Sequence, residues 1–121
     1  MGKIQKFTDL NCWKEGHKLV LMIYELTDGF PKRENYILVN QMLRAVISVT
    51  SNIAEGFGRR GKKEKIQFYF MAQASLVELQ NQLIISKDVN YLNERDYEVV
   101  WGQSILVHKL ITGLIKSINK R

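Results

Sequence analysis

Arg59, Arg60, Lys62, Lys63 and Lys65 put five cationic side chains into seven consecutive positions, with Glu64 as the one acid among them. That window carries +4 of a formal net charge of +6. Guanidinium and ammonium groups at this density attract phosphate oxygens whatever the base sequence, so RNA or DNA is the partner class the cluster suits. The plain alternative is a solvated loop whose charge keeps the chain dispersed. Phe57 and Tyr69 flank the cluster, where aromatic rings can stack bases without sequence preference. Aromatic residues at helical spacing more often fill a core, and stacking is the lesser expectation for both.

Groups that could do covalent or acid-base chemistry are sparse. Glu55 and Glu78 would approach each other if the helices bearing them pack, and paired carboxylates can exchange protons. Beside Arg44, Asn52 and Ser75, their expected role is instead to accept hydrogen bonds or salt bridges. His17 and His108 fall in separate segments without a second histidine at i+3 or i+4, and Glu-x-x-His spacing is missing. Neither a metal site nor any cofactor is therefore expected. Cys12 lies five residues before His17, and a lone thiol near the start of an amphipathic helix is expected to pack. Gly56-Phe57-Gly58-Arg59-Arg60-Gly61 spells GxGxxG but follows a helix rather than a strand, so it reads as a helix end and turn, not a dinucleotide site. A binding protein, not an enzyme, is the expectation.

Length and composition fit that reading. The 121 residues suit one domain, residues 1–121, able to bury a core without covalent staples. A single cysteine excludes an internal disulfide framework and matches a reducing cytoplasm. The N-terminal stretch lacks an uninterrupted apolar run, and nowhere do eighteen apolar residues follow one another. No signal peptide or membrane span is expected, and the location implied is cytoplasmic.

The elements that must position these residues are helices. Punctuation predicts four, at about 9–27, 32–56, 62–89 and 94–118, with Asp9 as the first N-cap, Gly29-Phe30-Pro31 as the first stop, Gly56, Gly58 and Gly61 as the second, and Asn90 to Asn93 as the third. No segment alternates as a half-buried strand does. Short connections between helices of similar length give an all-α, antiparallel up-down-up-down four-helix bundle.

Helical projection assigns faces. Leu38, Met42, Ala45, Val49, Ile53 and Gly56 form the core stripe of the second helix. Beside it runs a polar ladder of Gln41, Arg44, Ser48, Ser51, Asn52 and Glu55. Arg44, Ser48, Asn52 and Glu55, with Glu78 from the third helix, are expected to fix helix packing, with Arg44 buried among carboxylates. The third helix carries two apolar stripes, Phe68, Ala72, Leu76, Leu79 and Leu83 on one side and Ile66, Phe70, Val77 and Ile84 on the other. One core buries only one of them, so the second is the expected oligomer interface. Trp101, Ile105, Val107, Leu110, Ile111, Leu114, Ile115 and Ile118 likewise wrap more than half of the fourth helix.

Several of these residues also carry a resemblance. Phe7-x-Asp9-Leu10-x-x-Trp13, Phe30-Pro31-x-x-Glu34-x-Tyr36-x-Leu38-x-x-Gln41-x-x-Arg44-Ala45, and above all Ser48-Val49-x-Ser51-Asn52-Ile53-Ala54-Glu55-Gly56-x-Gly58-Arg59 resemble the four-helix-bundle family encoded by intervening sequences in bacterial 23S rRNA genes. Phe68 and Ser75-Leu76-x-Glu78-Leu79 extend the likeness, which spans about Phe7 to Leu114. The resemblance implies a cytoplasmic bacterial protein without assigned catalysis that forms a ring-like homopentamer. That family is also similar to the accessory protein of diversity-generating retroelements, a basic pentamer that binds nucleic acid and a reverse transcriptase. Leu43 stands where relatives often carry a second arginine, which weakens a nucleic-acid reading of that face. Thr50 stands where they often carry proline, which should leave the second helix straighter.

The sequence thus points to a self-associating bundle whose cluster Arg59, Arg60, Lys62, Lys63 and Lys65 meets RNA or DNA backbones. Its competitor is an oligomeric scaffold that binds a protein partner and uses its charge only for solubility.

Overall fold

The computed structural model describes residues 3–121, which form four helices and no strand. Helix α1 spans Asn11–Thr27, α2 Leu38–Gly58, α3 Lys62–Asp88 and α4 Glu94–Asn119, with single 3-10 turns at Phe7–Asp9 and Lys32–Glu34.

Two boundaries differ from those the sequence suggests. Asp9 does not cap α1: its carboxylate accepts the backbone N–H groups of Gln5 and Lys6, both at 3.0 Å, and so closes the preceding 3-10 turn. Those bonds, Gln5 first, hold its carboxyl below the usual carboxylate range. The second helix begins at Leu38 rather than Lys32 because Ile37 leaves helical space at φ −119°, ψ −94°. The segment before it is pinned elsewhere. The Tyr91 hydroxyl donates to Glu34 Oε2 at 2.7 Å, and the buried Phe30 ring packs 5.3 Å from that of Tyr91. These contacts tie the α1–α2 connection to the α3–α4 turn.

That turn has explicit chemistry. Asn90 adopts φ 67°, the left-handed region that asparagine tolerates better than most residues. The Tyr91 N–H then reaches the Ser86 carbonyl at 2.9 Å and the Asn90 N–H reaches Lys87 at 3.0 Å, which satisfies the last carbonyls of α3. Asn93 next accepts the Asp96 N–H at 2.8 Å and caps α4.

Pairing across helices fixes the topology. Ser48 meets Ser75 on α2 and α3, Gln73 meets Thr112 and Gln80 meets Ser104 on α3 and α4, and Gln103 meets Glu15 on α4 and α1. Along α3 and α4 the numbers run in opposite directions, 73 with 112 and 80 with 104, and so they do along α2 and α3, where Ser48 meets Ser75 and Met42 meets Ser86. Every helix packs on its two neighbours and none on its diagonal partner. The bundle is therefore antiparallel and up-down-up-down.

Leu19, Ile23, Met42, Val46, Val49, Ile53, Leu76, Leu79, Leu83, Val100, Val107 and Ile111 fill its centre. Helix α1 approaches α2 closely at Gly16, where a Cβ would sit 3.1 Å from the Thr50 methyl. Among the described residues no helix is long and apolar enough to cross a membrane.

Candidate nucleic-acid interface

The five cations, Arg59 and Arg60 in the α2–α3 turn and Lys62, Lys63 and Lys65 in the first turn of α3, do not share one role. Arg59 opens the turn, with its N–H on the Gly56 carbonyl at 3.2 Å. Its guanidinium lies 3.1 Å from Glu55, 3.9 Å from Glu64 and 4.7 Å over the Phe68 ring. Two carboxylates and an aromatic face thus offset that charge. Lys65 is half-buried, and its Nζ donates to the Phe57 carbonyl at 2.8 Å and the Gly56 carbonyl at 3.4 Å. It covers the orphan carbonyls at the end of α2. Burial, then the charge of Arg121, lowers its pKa from the ordinary lysine value. Lys62 does the same for α4, with Nζ 3.1 Å from the Asn119 carbonyl and 3.0 Å from that of Arg121. Arg60 and Lys63 are exposed and form no ion pair among the described residues.

Lys62 also brings the end of α4 against the basic turn, and Phe7 lines one cleft with Ser51, Glu55 and Arg59, so the N-terminal segment lies there too. That end of the bundle gathers Lys3, Lys6, Lys116, Lys120 and Arg121 around the cluster, giving ten Lys or Arg against Asp9, Glu55 and Glu64. The opposite end holds seven acids, Glu25, Asp28, Glu34, Asp88, Glu94, Asp96 and Glu98, against Lys32, Arg33, Lys87 and Arg95. Positive charge is polarised along the bundle axis, which single-helix projections do not reveal. The signal was in the sequence, in the basic character of both chain ends, but it needed the topology to assemble it.

The core position expected first for Tyr69 is met, and it is the place given to Phe68 that needs correction. Tyr69 is 1% exposed and packs in the core, where burial pushes its hydroxyl up to about 12. It cannot stack a base. Phe68, assigned to the core by its spacing, is half-buried beneath Arg59 while Tyr69 takes the inward position. Phe57 is half-buried with the Lys65 ammonium 5.5 Å from its ring centre.

The polar ladder divides in two. Asn52 Nδ2 donates to the Ser48 carbonyl at 2.9 Å and to Ser48 Oγ at 3.0 Å, and Ser48 Oγ pairs with Ser75 Oγ at 2.9 Å. These residues join α2 to α3. Arg44, Glu55 and Glu78 are exposed instead, and Arg44 forms no ion pair among the described residues. The expectation that Arg44 is buried among carboxylates is corrected: its position projects just past the α2–α3 contact, into an open groove it lines with Gln41, Ser51 and Glu78.

On α3, Phe70 is 54%, Val77 53% and Ile84 41% exposed. Ile66 leaves this stripe, half-buried against the core. Met71 and Ile85 are exposed on α3 as well, turned about 100° around the helix from Phe70 and Ile84. Cys12 is buried, and burial raises its thiol to about 11. His17 stacks on Trp13 with ring centres 4.8 Å apart. Among the described residues no three His, Cys, Asp or Glu side chains converge as a metal site would require.

Fold and surface define an antiparallel α-helical bundle with one basic end and one apolar helix face. The chain belongs to the 23S rRNA-intervening sequence protein family, whose profile matches residues 8–113. It is similar to the crystal structure of a protein of unknown function from the S23 ribosomal protein family of Bacteroides thetaiotaomicron. The two are 20% identical over 87% of this chain and 95% of that one, with a TM-score of 0.80, a likeness of fold. No curated protein matches the chain.

Proposed function

We propose that this protein is a non-catalytic homo-oligomer that holds RNA or DNA by the phosphate backbone at its basic end. The observation that carries this reading is the polarisation of charge, ten cations against three acids at one end of the bundle. Such a field attracts polyanions and exerts little base preference. Arg60 in the turn and Lys63 in the first turn of α3 are its contacts, with Lys116, Lys120 and Arg121 beside them. Arg59, Lys62 and Lys65 contribute charge but spend their hydrogen bonds inside the fold.

Self-association through Phe70, Val77 and Ile84 gives that exposed stripe a partner. A pentameric ring is what the family resemblance implies, and it would set several basic ends side by side. A reverse transcriptase or another protein would join as a further partner on the same resemblance.

The competing scaffold reading draws support from one fact, that three of the five clustered cations already have partners within the chain. Binding of labelled RNA and DNA oligonucleotides at ~50 mM salt separates the two, because phosphate contacts are strong there. Measurable binding that fades as salt rises supports the nucleic-acid reading. No binding hands the function to the scaffold.

A further inference from the structure

The acidic end of the bundle has a surface that neither nucleic acid nor the α3 face explains. A cleft of about 800 Å³ opens between the C-terminal half of α1 and the N-terminal half of α4. Met22, Leu26, Leu92 and Val99 give it an apolar wall, and Glu25 and Asp96 stand among its lining residues. Val99, one of its lining residues, is 59% exposed. A large aliphatic side chain left this open across from Met22 and Leu26 gives the cleft an apolar edge of the kind that marks an interaction site.

We propose that this cleft docks a protein segment that carries apolar anchors among lysines and arginines. Charge selects the occupant. Glu25 and Asp96 form no ion pair among the described residues, and Arg95 is the one cation lining the cleft. The surrounding end is net acidic on a chain whose formal charge is +6. A nucleic acid is repelled from it, whereas a cationic amphipathic helix fits by placing its apolar face in the groove and its ammonium groups on the rim. The bundle would then carry polyanion at one end and a basic protein segment at the other.

The probe is a fluorescein-labelled synthetic helix with leucines at i, i+3, i+4 and i+7 and lysines elsewhere, compared by anisotropy with a version in which glutamate replaces lysine. The lysine helix is expected to bind saturably and the glutamate helix not. Glu25→Gln with Asp96→Asn should weaken binding ~3- to 10-fold, as loss of two rim pairs predicts. Val99→Ser should weaken it ~3-fold or more. Val99 is exposed, and circular dichroism verifies the fold; Val99→Thr replaces Val99→Ser if helicity drops. Equal binding of both helices overturns the proposal, as does a loss that follows Val77→Ser on α3 instead of the cleft variants. A fall in oligomer mass caused by the Val99 substitution also overturns it, since a second copy would then fill the cleft.

Discussion

A Cβ on Gly56 would lie 2.6 Å from Cε1 and 2.9 Å from Cδ1 of Tyr69, so glycine here is a matter of space. No glycine among the described residues has a positive φ, so Gly56 does not end α2 by the left-handed conformation that usually explains a terminal glycine. It lets the ring of a fully buried tyrosine lie against the α2 backbone just before the basic turn. Gly56→Ala should therefore destabilise the bundle by ~1–3 kcal/mol, the usual cost of overpacking. Combining it with Tyr69→Leu should cost less than the two changes summed, since the smaller side chain relieves the clash. Urea unfolding at fixed protein concentration checks both statements.

Arg44 gives the opposite expectation. Its exposed position, without an ion pair among the described residues, puts the cost of Arg44→Ala below ~1 kcal/mol, where exposed charges normally fall. A cost of ~3–5 kcal/mol, the signature of a broken buried pair, would show that the groove of Gln41, Ser51 and Glu78 is covered in the assembled protein.

These two residues show what the sequence could and could not disclose. Helix number, order and core periodicity were legible because apolar spacing is a local property: Met42, Ala45, Val49 and Ile53 fall where their pattern puts them. The start of α2 was not, because the Glu34–Tyr91 bond that holds the preceding loop spans the chain. Nor was the fate of Arg44, since a ladder position one step from the contact line is buried or bare depending on how closely two helices cross. The basic cluster was visible, but its division into capping and unpaired cations depends on where the ends of α2 and α4 lie.

Two buried acids make stability fall at alkaline pH. Burial raises Cys12 from 9.0 to about 11 and Tyr69 from 10.0 to about 12. A group whose folded pKa is raised binds its proton more tightly in the native state, so its contribution is complete below the unfolded pKa and lost as pH rises through the folded one. Unfolding midpoints should lose stability from these two groups between pH ~9 and ~12. Cys12→Ala should remove the earlier part of that fall. Absorbance at the phenolate band should show Tyr69 ionising together with unfolding rather than ahead of it.

Self-association makes a separable prediction. Val77→Asp with Ile84→Asp puts two charges on the exposed α3 stripe, where neither side chain is needed by the monomer core. Light scattering should show a wild-type mass several times the 14.1 kDa chain and a reduced mass for the variant, with helicity retained. A wild-type mass near one chain would leave Phe70, Val77 and Ile84 without the partner assigned to them.

The nucleic-acid reading can be tested cation by cation, because the fold separates unpaired charges from engaged ones. Log affinity should fall linearly with log salt, and each phosphate contact removed should flatten the slope by about 0.7 on single strands or 0.9 on duplex. Arg60→Gln with Lys63→Gln removes two exposed cations that the fold does not use, so the slope should flatten by roughly 1.4 or 1.8 per basic end while the unfolding midpoint stays put. Lys62→Gln and Lys65→Gln should show a different signature. Each removes ammonium bonds to helix-end carbonyls, so each should lower stability by about 0.5–1.5 kcal/mol, the net worth of a hydrogen bond. Lys65→Gln should change the slope least, its ammonium being turned inward on the Phe57 carbonyl. Weakening should be alike for every sequence offered, since these cations meet phosphates rather than base edges. If Arg60→Gln with Lys63→Gln leaves affinity and slope unchanged while nucleic acid still binds, the contact surface lies away from the α2–α3 turn, and the ends of the chain around Lys3, Lys6, Lys120 and Arg121 become the place to look.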